Sequence, residues 1–317
     1  TIYREQERYD DLLDVLDERR RRADDDMRAT WSVLAARTLW EDLGRPGRAA
    51  ERVDELLDDR PDHPGALRLG ARIALDNEDW ERAASHLERL VDREDAGLET
   101  REAERRLAEL LSERLGRPEE ARSRFESILE RAPADRRALE GLGVALFQLQ
   151  DWEAHVDALI RQIGVAAGNP EVVEDRDLDA LDLDDLPASE RGDVAPTAAD
   201  AARIAEDHLG SPDLAIRLWQ LVRELEPDHP EALERLVELH RRTDSHDRLV
   251  DALVARSDGL LDPDDRARSL VEAARVCIEE LDEPGRARSL LDRTEELDGA
   301  SESVRADLDK LRNRLDE

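Results

Sequence analysis

The sequence contains few of the residues that cross-link a fold or fill a large core. Aromatic residues make up 3% of its 317 residues, and Cys277 is the single cysteine. One cysteine excludes an internal disulfide and any metal site built from several cysteines. No apolar run reaches the length of a membrane-spanning helix, and the opening "TIYREQERYD" lacks the apolar stretch of a signal peptide. We therefore expect a cytoplasmic protein without a membrane partner.

The balance of charge is strongly acidic. The formal net charge is −33, and Lys310 is the one lysine among 48 basic residues. Nucleic-acid binding depends on Lys and Arg that neutralise phosphates, so this charge predicts no nucleic-acid partner. The same charge disfavours anionic membrane surfaces. A solvated acidic surface that maintains solubility is the favoured explanation, and an acidic mimic of DNA is a lesser alternative.

A short motif returns at regular intervals along the chain. Its four copies are "LGRPGRAA" at Leu43–Ala50, "LGRPEEAR" at Leu115–Arg122, "LGSPDLAI" at Leu209–Ile216 and "LDEPGRAR" at Leu281–Arg288. Successive copies are separated by 72, 94 and 72 residues. The repeating unit is therefore 72 residues long, and 22 additional residues precede the third copy. A fixed period of this kind is the signature of a repeat architecture.

Each unit is predicted to contain four helices. Apolar residues recur at helical spacing after each "P" of the motif, and alternating strand patterns are absent. Pro61 ends one helix because proline cannot continue it, Asp62 is the expected N-cap of the next, and Pro64 suits its first turn. "NEDW" then separates the third helix from the fourth. The pattern predicts an all-α protein made of helix hairpins about 36 residues long, close to known helical repeats.

These hairpins resemble the tetratricopeptide repeat family. The best match is "ALEGLGVALFQLQDWEAHVDALI", and "LGRPEEARSRFESILERAP" and "LGSPDLAIRLWQLVRELEP" supply the second-helix pattern of Ala, a large apolar residue and Pro. The resemblance implies an α-solenoid, a superhelix of stacked antiparallel hairpins. We count about seven pairs with half a pair at each end, a lone second helix in residues 1–22 and a lone first helix in residues 301–315. The half pairs favour a segment of a longer polypeptide.

The predicted organisation has three parts. Residues 1–163 form an N-terminal solenoid, residues 164–195 an acidic insert, and residues 196–317 a C-terminal solenoid that we expect to be continuous with the first. Residues 171–193 carry ten acidic and two basic side chains, a composition typical of a solvated linker. A short acidic helix that docks as an internal lid is the alternative. Its apolar face would consist of Leu178, Leu181, Leu183 and Leu186.

The resemblance also implies a binding surface. In this family the first helix of each pair lines a concave groove that takes extended peptides or partner proteins. The register places eight residues of this chain there: Leu34, Arg68, Arg72, Arg106, Leu110, Glu234, Glu238 and Glu272. Because guanidinium groups donate paired hydrogen bonds to carboxylates, an acidic peptide is a candidate ligand for the arginines. Pairing with Glu or Asp one turn away is the competing explanation.

Residue patterns typical of catalysis are missing from the sequence. His63 and His229 lie in "PDHP" junctions, where helix capping accounts for them, and Cys277 lies on or beside an apolar stripe, as a buried structural thiol would. We expect no metal and no cofactor. The predicted function is a non-catalytic protein-interaction scaffold. A regulatory arm of a larger enzyme or effector is the main alternative.

Overall fold

The structure is a computed structural model that describes residues 2–92, 98–169, 188–297 and 300–316, together with residues 173, 178–181 and 186. Throughout these residues the regular secondary structure is helical. The prediction of an all-α fold is confirmed. The chain divides into two compact units, Thr1–Asp151 (unit 1) and Trp152–Glu317 (unit 2). The division into two solenoids and an insert stays a prediction.

Helices follow one another with short connections in both units. Unit 1 contains α1 (Ile2–Glu5), α2 (Tyr9–Arg22), α3 (Asp25–Arg37, continued by a π-helical turn over Thr38–Asp42), α4 (Pro46–Asp59), α5 (Pro64–Asp76), α6 (Trp80–Val91), α7 (Leu98–Glu113), α8 (Pro118–Arg131) and α9 (Arg136–Leu149). Unit 2 contains α10 (Trp152–Ala166), α11 (Ala188–Asp207), α12 (Pro212–Leu225), α13 (Pro230–Arg242), α14 (His246–Gly259), α15 (Pro263–Glu279), α16 (Pro284–Glu295) and α17 (Glu302–Asp316), with a 3-10 turn over Leu178–Ala180. In chain order α3 to α8 form three pairs in unit 1 and α11 to α16 form three pairs in unit 2, while α9 is the last helix of unit 1 and α10 the first of unit 2. Helices α2 and α17 are the predicted half pairs.

The hairpins stack as a solenoid requires. Within each unit consecutive helices pack together, and first helices of successive pairs also touch, α3 on α5 and α7 on α9 in unit 1 and α15 on α17 in unit 2. Small residues make the contact between the two helices of a pair close. The alanines of the repeated motif are completely buried, namely Ala49, Ala121, Ala215 and Ala287. Stability therefore arises from neighbouring hairpins, as in other repeat proteins.

The repeated motif is the turn between the two helices of a pair. Gly44, Gly116 and Gly210 have φ angles of 60°, 62° and 56°, in the left-handed region that glycine enters without steric cost. Asp282 takes the glycine position of the fourth copy and adopts the same conformation, with φ of 54°. The proline two residues later is the first helical residue, where its missing N–H has no partner to lose.

A second kind of turn follows the first helices α5, α9 and α13, where the repeated motif does not occur. Here Glu78, Gln150 and Asp244 occupy the left-handed region with φ between 50° and 57°. At Glu78 the backbone N–H donates to Leu75 O at 3.1 Å, and Asp79 N donates to Ala74 O at 2.9 Å. This pair of bonds closes the end of α5 as in a Schellman motif, a position where glycine is usual.

The N-cap of α5 is His63, and the expectation of Asp62 is wrong. The Nδ1 atom of His63 accepts a hydrogen bond from Ala66 N at 3.2 Å, and His229 does the same for Ala232 N at the start of α13. Because a proline occupies the first helical position, the residue directly before it becomes the cap. The capping role predicted for the two histidines is confirmed.

Ion pairs connect hairpins that follow one another. In unit 1 Arg45 contacts Asp10 at 2.9 Å and Arg52 contacts Asp17 at 2.5 Å, in both cases 35 residues away. In unit 2 Arg286 contacts Asp247 and Asp251 at 2.5 Å. These pairs link second helices, α4 to α2 and α16 to α14. Exposed pairs of this kind contribute only about 0–1 kcal/mol each, so burial of the alanine and leucine columns is the larger stabilising factor.

Candidate functional site

Three helices of unit 1 line an open pocket of about 320 Å³. Helices α5 and α6 form one hairpin, and α7 packs on α6 as the first helix of the next. The floor of the cavity is apolar and consists of Ala71, Leu75, Leu87, Leu90 and Ala103. Its rim consists of Arg68, Arg72, Glu102 and Arg106. We call this feature the arginine pocket.

Arg72 reaches the pocket from α5. Its guanidinium lies over the ring of Trp40, 4.8 Å from the centroid, and its Nη1 is 3.8 Å from Glu41 Oε1. The Arg72 side chain is nevertheless 54% exposed. Stacking on a ring uses the face of a guanidinium, while the N–H groups point outward in its plane. Trp40 therefore orients Arg72 and leaves hydrogen-bonding edges accessible to a ligand.

Arg106 and its neighbour Arg105 share a carboxylate on α7. Arg106 Nε donates to Glu102 Oε1 at 2.9 Å, and Arg105 donates to the other oxygen. Partial burial alone would raise the pKa of Glu102, but the hydrogen bond from Arg106 and the charges of both arginines lower that pKa overall. Glu102 is thus ionised and neutralises part of the positive charge. Pairing one turn away, the competing explanation, is therefore present at Arg106.

The predicted concave residues of unit 1 lie in different surroundings. Arg68, Arg72 and Arg106 come together in the arginine pocket. Leu34 is half-buried on α3. Leu110 is 5% exposed and belongs to the core, which leaves little of its side chain for a ligand.

The predicted acidic residues lie in unit 2. Glu234 and Glu238 are exposed on α13, and Arg235 donates to Glu238 at 3.3 Å. Glu272 on α15 is half-buried and accepts hydrogen bonds from Arg241 and Arg256. These contacts satisfy Glu272 within the unit itself.

Comparison with protein families gives the fold its name. The family model described as "Tetratricopeptide repeat" matches residues 33–99 and 110–168. Both matched stretches begin within a first helix of the hairpins described above. Over these residues the chain carries tetratricopeptide repeats. Helix pairs of the same kind continue beyond the matched residues through α16. A search of curated proteins finds no significant match.

Solved structures include other tetratricopeptide repeat proteins. YrrB, described as having an unusual peptide-binding site, is 16% identical, with a TM-score of 0.41 and coverage of 65% of this chain and 90% of its own. The TPR2AB domain of yeast Sti1, solved as a pHSP90 complex, is 14% identical, with a TM-score of 0.43 and coverage of 92% and 100%. A Parabacteroides merdae protein is 15% identical, with a TM-score of 0.39 and coverage of 90% and 99%. TM-scores this low show no close superposition on this chain, so these structures do not indicate its ligand.

Three of the four predicted lid residues contact the core of unit 2. Leu186 is 3% exposed within that core, and Leu178 and Leu181 pack against it half-buried. Asp179 lies 3.0 Å from Arg217 of α12. Leu183 lies outside the described residues. For the described leucines, contact with the core resembles the docked alternative more than the solvated linker. A lid function stays a prediction.

Sequence reasoning missed the floor of the arginine pocket. None of Leu75, Leu87, Leu90 and Trp40 is among the predicted site residues, because apolar residues at helical spacing indicate packing faces rather than a site. The floor combines residues of α5, α6 and α7, which are brought together only by packing. The signal in the sequence that could have indicated these residues is the 72-residue period, because it identifies the positions that are equivalent in successive repeating units.

The described residues give little support to a metal site, a reactive thiol or a membrane-spanning helix. Its His, Cys, Asp and Glu side chains form no group of three or more that could hold a metal ion. Cys277 is fully buried, as expected, and burial raises the pKa of its thiol. None of the described helices is long and apolar enough to cross a membrane.

Proposed function

We propose that this chain is a protein-interaction scaffold and that the arginine pocket binds an acidic, partly apolar peptide segment of a partner protein. The observation that carries the proposal is the combination of an apolar floor with three arginines on its rim. Two carboxylates offset part of that charge, Glu102 beside Arg106 and Glu41 beside Arg72. The lining of the pocket carries more basic than acidic side chains, on a chain whose net charge is −33.

The chemistry of the pocket suits the carboxylates of an acidic peptide. The planar fork of arginine matches the two oxygens of a carboxylate. The floor buries apolar surface and favours an aliphatic side chain next to the acidic one, at about 25 cal/mol for each Å² removed from water. A purely polyanionic ligand would leave that floor unused, and an apolar ligand would leave the arginines without added partners. An Asp or Glu beside a Leu, Ile or Val satisfies both.

Peptide binding to the full 317-residue chain tests this function. Fluorescence anisotropy would compare a labelled peptide carrying Asp-Leu-Glu with one carrying Asn-Leu-Gln. We expect the acidic peptide to bind at least about tenfold more tightly, since a charge-assisted hydrogen bond contributes about 1.5–3 kcal/mol. Its affinity should decrease as salt rises, because salt screens the exposed charges.

Two variants provide the control. Arg72→Gln should weaken binding of the acidic peptide, whereas Arg48→Gln removes the same charge from an exposed position on α4 outside the pocket and should not. Equal affinity for the acidic and neutral peptides would contradict the proposal. So would equal losses in the two variants.

The remaining functional expectations stay predictions. Tetratricopeptide solenoids supply extended surfaces for partners, which agrees with a non-catalytic role without excluding an activity. A regulatory arm of a larger enzyme, an acidic DNA mimic and a cytoplasmic location await measurement. Competition of the chain with DNA for a basic protein would favour the DNA mimic over the peptide scaffold.

A further inference from the structure

Two apolar side chains are exposed on α9, the next first helix after α7. Val144 is 44% exposed and Phe147 is 56% exposed. Residues three apart share a face of a helix, so the two belong to one surface. In the described part of the chain, the exposed large hydrophobic side chains are Met27, Val144, Phe147 and Leu261. We call Val144 and Phe147 the apolar step.

The apolar step is related to the arginine pocket by the repeat. A shift of 72 residues takes Arg72 to Val144 and Leu75 to Phe147. The same shift takes Arg68 to Glu140, which is exposed and lies 3.3 Å from Arg136. At the three equivalent positions the pocket therefore carries two cations and a leucine, whereas α9 carries a carboxylate and an apolar pair. A peptide that extends from the arginine pocket to the apolar step would first contact a surface that favours acidic residues and then a surface that favours apolar residues.

Helix packing sets the distance between the two sites. Helix α9 packs against α7, whose Arg106 is on the pocket rim. Packed helix axes lie about 8–10 Å apart, and the centre of the pocket, between α5 and α7, is about one and a half such spacings from α9. An extended peptide advances about 3.3 Å per residue, so the sites are separated by about four residues.

We propose that unit 1 recognises a bipartite peptide, with an acidic and aliphatic pair in the arginine pocket and an apolar residue about four positions away on the apolar step. This inference rests on the proposed function and extends it to the sequence of the partner. Glu140 adds selectivity, because it repels a second acidic residue at the step. The partner segment is therefore not uniformly acidic.

A peptide series on the full chain tests the spacing. Each peptide carries Asp-Leu-Glu and one Phe, placed one, four or eight residues away on either side, and a parent peptide carries Ser instead of Phe. We expect the peptide with the spacing of four, on one of the two sides, to bind about tenfold more tightly than the parent, since burial of an apolar side chain contributes at least about 1.5 kcal/mol. The other spacings should bind like the parent.

Substitutions on α9 locate the effect. The double variant Val144→Ser with Phe147→Ser should abolish the gain from Phe and leave binding of the parent peptide unchanged. Leu261→Ser, which removes a 97% exposed leucine of unit 2, is the matched control and should change neither. Circular dichroism would verify that each variant is folded.

The outcomes separate this inference from the proposed function. If Arg72→Gln weakens the parent peptide while all three spacings bind equally, the bipartite model is wrong and the pocket stands. If the gain from Phe survives in the α9 double variant, the second contact is elsewhere and the model is also wrong. If no acidic peptide binds, the proposed function itself fails.

Discussion

Several residues in the turns of this protein adopt a left-handed backbone conformation, which costs conformational free energy unless the residue is glycine. Four turns use glycine there, but Glu78, Gln150, Asp244 and Asp282 adopt the same conformation with a side chain. For L-residues other than glycine this region costs roughly 1 kcal/mol or more. The turns exist because the helices on either side must reverse direction, so tertiary packing maintains them.

We predict that Glu78→Gly stabilises the chain by about 0.5–1 kcal/mol, because it removes the steric cost at the end of α5. Gly44→Ala should do the reverse: a methyl group there meets no atom within 4 Å, but φ is 60°. Urea unfolding would measure both. Gly47→Ala, also without steric contact but at an ordinary φ in the first turn of α4, is the control and should not destabilise. A loss of stability in Glu78→Gly would contradict the prediction. It would show that the Glu78 side chain makes a contact that stabilises the fold by more than the steric cost of its left-handed conformation.

The second prediction at the scale of residues concerns the pH dependence of stability that a buried histidine causes. His86 on α6 is 6% exposed, and neither ring nitrogen has a hydrogen-bond partner. Burial, followed by the charge of Arg82, lowers its pKa below the ordinary 6.5. The folded state then binds the proton less readily than the unfolded state. Stability is therefore present above pH 6.5 and is lost as the pH falls through the lowered pKa.

His86→Leu should remove this part of the pH dependence. We expect the variant to retain more of its free energy of unfolding between pH 6.5 and pH 5 than the parent does, as measured by urea titration at each pH. Parallel losses in the two proteins would assign the acid sensitivity to other groups.

At the scale of elements, close helix contacts depend on a few small residues. Gly141 of α9 faces the fully buried ring of Phe125 from α8. A Cβ at position 141 would lie 2.2 Å from Phe125 Cζ, far inside contact distance. The orientation of α9, and with it the position of the apolar step, depends on this contact.

We predict that Gly141→Ala destabilises unit 1 by about 1–3 kcal/mol, the usual cost of overpacking a core. The methyl group would force the Phe125 ring aside. Phe125→Leu in the Gly141→Ala background should recover part of the loss, and a double-mutant cycle of thermal or urea unfolding measures the coupling. Gly285→Ala, where a Cβ meets no atom within 4 Å, is the control. Additive losses would show that the two residues do not share this contact.

At the scale of the whole molecule, electrostatics has two opposing parts. Many arginines pair with Asp or Glu of the neighbouring hairpin, and salt weakens such pairs. Against this, 81 acidic residues face 48 basic ones, and salt relieves their mutual repulsion. Because exposed pairs contribute little individually, we expect the repulsion to dominate.

The thermal midpoint should therefore rise with salt. The screening length falls from about 30 Å at about 0.01 M to about 10 Å at about 0.1 M, so most of the rise should occur in that range. Differential scanning calorimetry in NaCl would measure it. A midpoint that falls with NaCl would mean that the ion pairs between hairpins outweigh the net charge.

The 72-residue period, the helix pairs and most helix starts follow from the sequence because they depend on local chemistry. Proline begins a helix and glycine reverses the chain wherever they occur in this motif. The chemistry of a turn is contained in a few adjacent residues. The expected cap, Asp62, lies one position before the observed cap, His63, because Pro64 is the first helical residue and the residue directly before it is the cap.

Only the tertiary structure decided which side chains meet. Arg68 and Arg106 are 38 residues apart and share a pocket because α5 and α7 border the same cavity, whereas Leu110, one turn beyond Arg106, is buried in the core. Trp40 orients Arg72 from a third helical segment. Periodicity identifies the face of a helix, but burial, cavities and ion pairs depend on which neighbour covers that face.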